Sequence, residues 1–219
     1  MHNTVKNLIE IENSIKTHLN KLKIINNPKI VAVSKTFKID KILPLIEHGH
    51  NDFGENKVQE ALEKWTEIKK INPKIKLHMV GKLQTNKVKF AVQIFDYIHS
   101  VDSEKLARKI ADEQNKIARK IKIFLQVNIG DEDQKSGINK NELDQLFSFS
   151  KKIGLNVIGL MCIPPVNIDP DNYFEKMKKL NKDLDLAQLS MGMSSDYLKA
   201  AKYSATYIRI GSSIFGERS

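Results

Sequence analysis

The chain has 219 residues and a formal net charge of +10, from 36 Lys and Arg against 26 Asp and Glu. No window approaches the ~18 to 20 unbroken apolar residues of a membrane span, and a lone Cys162 leaves no internal disulfide, as suits a reducing compartment. The positive charge raises a nucleic-acid partner, but it is almost all lysine and lacks the aromatic interleaving of a single-strand binder, so a solvated lysine-rich surface is expected.

Residues 1–24 carry Val5, Leu8, Ile11, Ile15, Leu19 and Leu22 at three- and four-residue spacing, which predicts an amphipathic helix packed on the rest of the fold. Its interspersed charges do not make a signal peptide, and a cytoplasmic protein is the expectation. Asn26-Asn27-Pro28 ends it. An alternation follows: strands at 29–35, 50–54, 76–81, 97–101, 121–129, 157–163, 187–191 and 206–210. Helices are predicted between them at 39–48, 57–71, 85–94, 103–119, 140–153, 172–185 and 195–203, with Ser103 as an N-cap.

Strict alternation with short loops predicts a parallel sheet. Eight repeats predict a (β/α)8 barrel filling one domain over residues 1–219. A doubly wound open sheet would place a glycine-rich turn after its first strand; here that strand ends in Ser34-Lys35-Thr36.

In such a barrel the C-terminal strand ends form the active face. These ends are polar: Lys35, then Glu55 and Asn56, Gly81 and Gln84, Ser100 and Asp102, Asn128, Ser190 with Gly192 and Ser194, and Arg209 with Gly211 and Ser212. Met161 and Ile163 after the sixth strand are the apolar exception. Val31, Val33 and Lys35 share one strand face by period two. If the valines face the core, burial depresses the lysine pKa and makes the amine nucleophilic, as a Schiff-base lysine requires; the alternative is a lysine that reaches past the rim to solvent.

The runs Met191-Gly192-Met193-Ser194-Ser195 and Arg209-Ile210-Gly211-Ser212-Ser213 put small residues and hydroxyls where barrels of this kind hold phosphate. Each alone reads equally as a capped turn; two on adjacent strands, placed opposite a strand-end lysine, read as an anion site. Arg209 either faces a ring nitrogen or forms a salt bridge with Glu55 or Asp102. His78 and Ser190 are secondary candidates, Lys135 sits in a loop by the mouth, and His48 and His50 flank Gly49 at a helix C-cap. No Cys/His cluster has metal-ligand spacing.

The runs IVAVSKT, FGENKVQE, HMVGKLQTNK, HSVDS, LQVNI with KSGI, GLMCIPP, LSMGMSSDYLKA and YIRIGSSIFGER, in this order, resemble the YggS/PROSC family of pyridoxal phosphate homeostasis proteins. The resemblance implies a barrel similar to the N-terminal domain of alanine racemase. It implies pyridoxal 5'-phosphate (PLP) held as a Schiff base on Lys35, phosphate held by Ser194, Gly211 and Ser212, Arg209 near the pyridine nitrogen, and Asn56 and Met191 lining the ring. The family often has lysine where this chain has Phe37, with Lys38 one place later; Lys135 matches the K-S-G loop. The resemblance further implies a monomer that stores PLP and delivers it to apo-forms of PLP enzymes. The alternatives are a slow PLP-dependent racemase or lyase, a basic nucleic-acid-binding barrel, and a cofactor-free Schiff-base aldolase. A two-base racemase needs acid/base groups on both faces of its substrate, and this length leaves no room for the second domain that supplies one in similar folds.

Overall fold

The computed structural model describes residues 1–132 and 136–217; Lys135 lies outside them. Helix α1 (Asn3–Lys21) precedes β1 (Lys29–Val33), α2 (Leu43–Glu47), β2 (Asp52–Glu55), α3 (Val58–Ile71), β3 (Lys76–Met79) and α4 (Val88–Ile94). Then come β4 (Tyr97–Val101), α5 (Glu104–Lys116), β5 (Lys122–Val127), α6 (Leu143–Lys152), β6 (Asn156–Cys162) and α7 (Asp171–Asp183). The order ends with β7 (Gln188–Ser190), α8 (Tyr197–Lys202), β8 (Tyr207–Ile210) and α9 (Ser212–Phe215). The eight strands close into one parallel barrel in sequence order, the (β/α)8 architecture expected. Closure comes from β8 pairing with β1, Lys29 opposite Tyr207 and Val31 opposite Arg209.

Helix α9 has four residues, too few to cover the β8–β1 seam. Helix α1 packs against α2, α8 and α9 and covers that side of the barrel. Its apolar stripe of Val5, Leu8, Ile11, Ile15 and Leu19 is buried, and Asn7 Nδ2 donates to Ile214 O at 2.9 Å. Burying each large side chain stabilises by roughly 1.5 to 3 kcal/mol. Asn26 Nδ2 then donates to Ala201 O and Ala205 O, both at 3.0 Å, holding the link between α1 and β1.

Several element ends differ from expectation. Strand β1 stops at Val33, two residues short of Lys35, because Thr36 adopts a left-handed φ of 67° that no strand accepts. The stretch expected as one helix at 39–48 is a 3-10 turn followed by α2, with Pro44 in its first turn, where a missing N–H is tolerated. Gly49, at φ 95°, donates to Ile46 O while His50 N–H donates to Leu45 O; this is the Schellman C-cap expected there. Helix α8 starts at Tyr197, after a turn in which Met193 N–H donates to Asp196 Oδ1 at 2.6 Å. Ser103 caps α5 through Leu106 N–H.

Leu8 is 1% exposed. Leu8→Ala is expected to cost about 2 to 5 kcal/mol of unfolding free energy, measured by urea titration, while leaving the geometry of the barrel mouth intact.

Candidate functional site

A cavity of about 690 Å³ opens at the C-terminal end of the barrel, within the usual ~300 to 1,000 Å³ of small-molecule sites. Lys35, Asn56, Ser194, Arg209, Gly211 and Ser212 all line it, so the barrel brings together six of the residues singled out in the sequence. Met191 is not among them. It is fully buried in the layer between sheet and helices, because alternation turns it away from the interior. Met193, two residues on, lines the cavity instead.

The segment carrying Lys35 is pinned from below. Ser34 is buried and its Oγ donates to Glu55 Oε1 at 2.8 Å. Lys64 Nζ donates to Ser34 O and Glu55 Oε1, both at 2.9 Å, and to Glu60 Oε1 at 3.0 Å. Trp65 Nε1 donates to the same Glu55 oxygen at 3.0 Å, and Thr36 N–H donates to Glu60 Oε1 at 2.6 Å. Burial alone would raise the Glu60 pKa, but the Thr36 and Lys64 hydrogen bonds outweigh it and hold the carboxyl below its usual range. The strained turn at Thr36 is thus held by a carboxylate–ammonium cluster, and the lysine projects from a rigid base.

This cluster corrects one sequence alternative. Glu55 lies on the face of β2 that meets α3, with Lys64 and Trp65 as partners, so it forms no salt bridge with Arg209. A second correction concerns placement. Because closure sets β8 beside β1, the Gly211-Ser212 loop flanks Lys35 and does not lie opposite it: a Cβ added at Gly211 would lie 3.3 Å from Val33 O.

Arg209 is 5% exposed and lines the cavity. Its Nη1 donates to Ser190 Oγ at 2.6 Å and its Nη2 to Cys162 O at 2.8 Å. Burial lowers its pKa, yet a guanidinium stays protonated at neutral pH. The Cys162 thiol beside it is pushed up to about 12 by burial and is no nucleophile. On the β2 side, the buried Asn56 Oδ1 has no hydrogen-bond partner. Asn56 can approach this closely because residue 81 is glycine: a Cβ there would stand 2.5 Å from Asn56 O. Ser194 Oγ accepts from Ser213 N–H at 3.4 Å, tying the β7 and β8 loops together. Gly192, at φ 92°, lets the β7 loop turn back against Ala200, where a Cβ would meet the alanine methyl at 2.5 Å.

Three features escaped the sequence reading. Phe37 lines the cavity and stacks on Phe215, with centroids 5.0 Å apart and planes at 25°. His99 is fully buried in the barrel interior, between His78 and Ser190. Asp52, at the start of β2, bonds His78. Period two could have found His99, since Tyr97 and His99 share a face of β4.

Burial lowers the pKa of His50, His78 and His99, the last well below its ordinary value. These imidazoles are neutral in the fold and titrate near 6.5 when unfolded, so the unfolded chain takes up more protons as pH falls. The stability they contribute is fully present above about pH 6.5 and is lost towards the folded-state pKa, at up to about 1.4 kcal/mol per pH unit for each ring. Urea titrations at pH 7.5 and 5.5 are expected to show lower stability at 5.5, with a shallower pH slope in His99→Gln.

Residues 8–219 match the family model described as alanine racemase, N-terminal domain. A pyridoxal phosphate homeostasis protein of Aquifex aeolicus is 36% identical over 203 residues, covering 88% of each chain. The human protein of the same name is 36% identical over 211 residues, covering 87% of this chain and 77% of the human one. The solved structure of PipY from Synechococcus elongatus with PLP bound superposes with a TM-score of 0.77 at 34% identity, covering 92% of this chain and all of that one. The barrel, the mouth cavity and these similarities together place the chain in the pyridoxal phosphate homeostasis protein family.

Proposed function

We propose that this chain holds PLP reversibly in the mouth cavity and serves intracellular PLP homeostasis as a store and donor of the cofactor. The observation that carries this reading is the joint presence, around one cavity, of a lysine on a pinned turn, a buried guanidinium, and two glycine–serine loops tied to each other. PLP supplies an aldehyde that condenses reversibly with a primary amine, a phosphate dianion and a pyridine ring nitrogen. The cavity fits all three: an amine at Lys35 for the aldehyde, the hydroxyls and close-approach glycine of Ser194, Gly211 and Ser212 for the phosphate, and the buried guanidinium of Arg209 for the ring nitrogen.

Lys35 is the covalent anchor. Its backbone, locked by Glu60 and Lys64, sets where Nζ can reach. Ser194, Gly211 and Ser212 hold the phosphate from the β7 and β8 loops. The guanidinium of Arg209 meets the ring nitrogen and, as a permanent cation, disfavours its protonation. Asn56 and Met193 bound the ring, and Phe37 stacked on Phe215 closes one wall. Lys38, next along, is exposed and does not line the cavity.

Storage is favoured over turnover by the composition of the wall. Among the described residues it carries no carboxylate, imidazole or phenol; its ionisable groups are Lys35, Lys82 and Arg209. A two-base racemase calls for an acid/base group on each face of the substrate carbon, and this wall offers lysines alone for that work. We place the protein in the cytoplasm as a monomer, with apo-forms of PLP enzymes as recipients. No helix among the described residues is long and apolar enough to cross a membrane.

Purified wild-type protein is expected to show visible cofactor absorbance and a borohydride-fixed adduct on Lys35 by peptide mass mapping. Lys35→Ala should lose both while keeping its fold. Unchanged absorbance in the variant would refute the assignment of Lys35. Incubation of the loaded protein with amino acids in D₂O should give no exchange at Cα on an enzymatic timescale; fast, Lys35-dependent exchange would make it an enzyme.

A further inference from the structure

The interior of the barrel contains polar groups that neither the cavity wall nor the apolar core accounts for. Asp52 Oδ1 lies 3.0 Å from His78 Nε2, His78 Nδ1 lies 2.9 Å from His99 Nε2, and His99 Nδ1 lies 2.8 Å from Ser190 Oγ. Ser190 Oγ lies 2.6 Å from Arg209 Nη1. These five residues come from β2, β3, β4, β7 and β8 and run without a break from the lower rim of the barrel to the cavity. His78, His99 and Ser190 are each 0% exposed.

The direction of every bond follows from elementary chemistry. A carboxylate only accepts, so His78 donates through Nε2–H. A neutral ring then has a bare Nδ1, which accepts from His99 Nε2–H. The bare Nδ1 of His99 accepts from the Ser190 hydroxyl, whose oxygen is left to accept from the guanidinium, which only donates. Each step uses the one donor and one acceptor available, and both rings are neutral in so buried a place. The rings are also clamped. His78 stacks on Tyr97 at 4.2 Å and 9°, and His99 on Phe124 at 4.3 Å and 25°. Neither ring can turn over without breaking a stack and two hydrogen bonds.

We propose that Asp52, His78, His99 and Ser190 form a one-way hydrogen-bond chain that positions the Arg209 guanidinium against the ring nitrogen of the bound cofactor. The inference rests on the reading of the cavity as a PLP site. The chain anchors a buried cation at the ligand end to a partly exposed carboxylate at the other, so the guanidinium keeps one orientation whether or not a ligand is present. Its members are positioning residues; of the five residues, Arg209 alone lines the cavity.

Two measurements test it. Nitrogen-15 NMR of the ligand-free protein should show His78 and His99 both as neutral Nε2–H tautomers between pH 6 and 8; His99 as the Nδ1–H tautomer or as a cation would overturn the chain. The second is PLP affinity by fluorescence titration. Ser190→Ala removes a single oxygen and is expected to weaken PLP binding about tenfold, from loss of a hydrogen bond to a charged group. His99→Leu should weaken it at least as much. His99→Gln, whose amide can donate to His78 and accept from Ser190, should stay within about threefold of wild type, since the chain stays joined. Wild-type affinity in Ser190→Ala, with lowered melting temperature only, would make the chain merely structural and refute the proposal. Wild-type protein that takes up no PLP would refute the cavity assignment instead, and the tautomer measurement, made without ligand, would still judge the chain.

Discussion

Strand β8 pairs with β1 along four residues, with Val31 set against Arg209, and the site depends on this closure. Lys35 and the Gly211-Ser212 loop are about 175 residues apart in the chain, and only the β8–β1 register makes them neighbours. The same pairing leaves a seam that the four-residue α9 cannot cover. Helix α1, from the other end of the sequence, covers it. First and last segments are therefore packed together twice, once in the sheet and once in the helical shell, which favours a cooperative fold with a rigid mouth.

A barrel interior is normally filled by layers of branched apolar side chains. Here Val31, Tyr97, Phe124, Met161 and Tyr207 form an apolar cluster, and Asp52, His78, His99, Ser190 and Arg209 stand among them joined to one another. An isolated guanidinium in such a place would carry a large desolvation penalty. Arg209 avoids it through Ser190, the Cys162 carbonyl and the histidines behind them. The polar interior is thus a condition for keeping a cation at the floor of the cavity. The cluster of Glu55, Lys64 and Glu60 performs the matching task outside the barrel, holding a left-handed turn under Lys35.

The fold was legible because eight strand-like segments alternate with helical spacing along the chain, and each change of spacing is a local property. Lys35, Asn56, Ser194, Arg209, Gly211 and Ser212 were legible for the related reason that strand ends in a parallel barrel share one rim. Element ends were read less well. The turn at Thr36 depends on Glu60, 24 residues away, and no local signal announces it. Met191 and Met193 are alike in type and differ only in which side of the sheet they meet. His99 drew no notice because an imidazole in a strand has no meaning until its neighbours across the barrel are known. The irregular pairing between Ile98 and Val101 also breaks a simple register count at that point.

The sequence by itself determined the strand count, the rim on which polar residues gather, the amphipathic face of α1 and the family, since these rest on spacing along the chain. Tertiary structure alone decided which strand lies beside Lys35, that Glu55 faces the helices, that Asn56 keeps an oxygen without a partner, and that two histidines, a serine and an aspartate stand in line behind Arg209. These are contacts between residues far apart in sequence. Their geometry comes from barrel closure and strand tilt, which no single segment encodes.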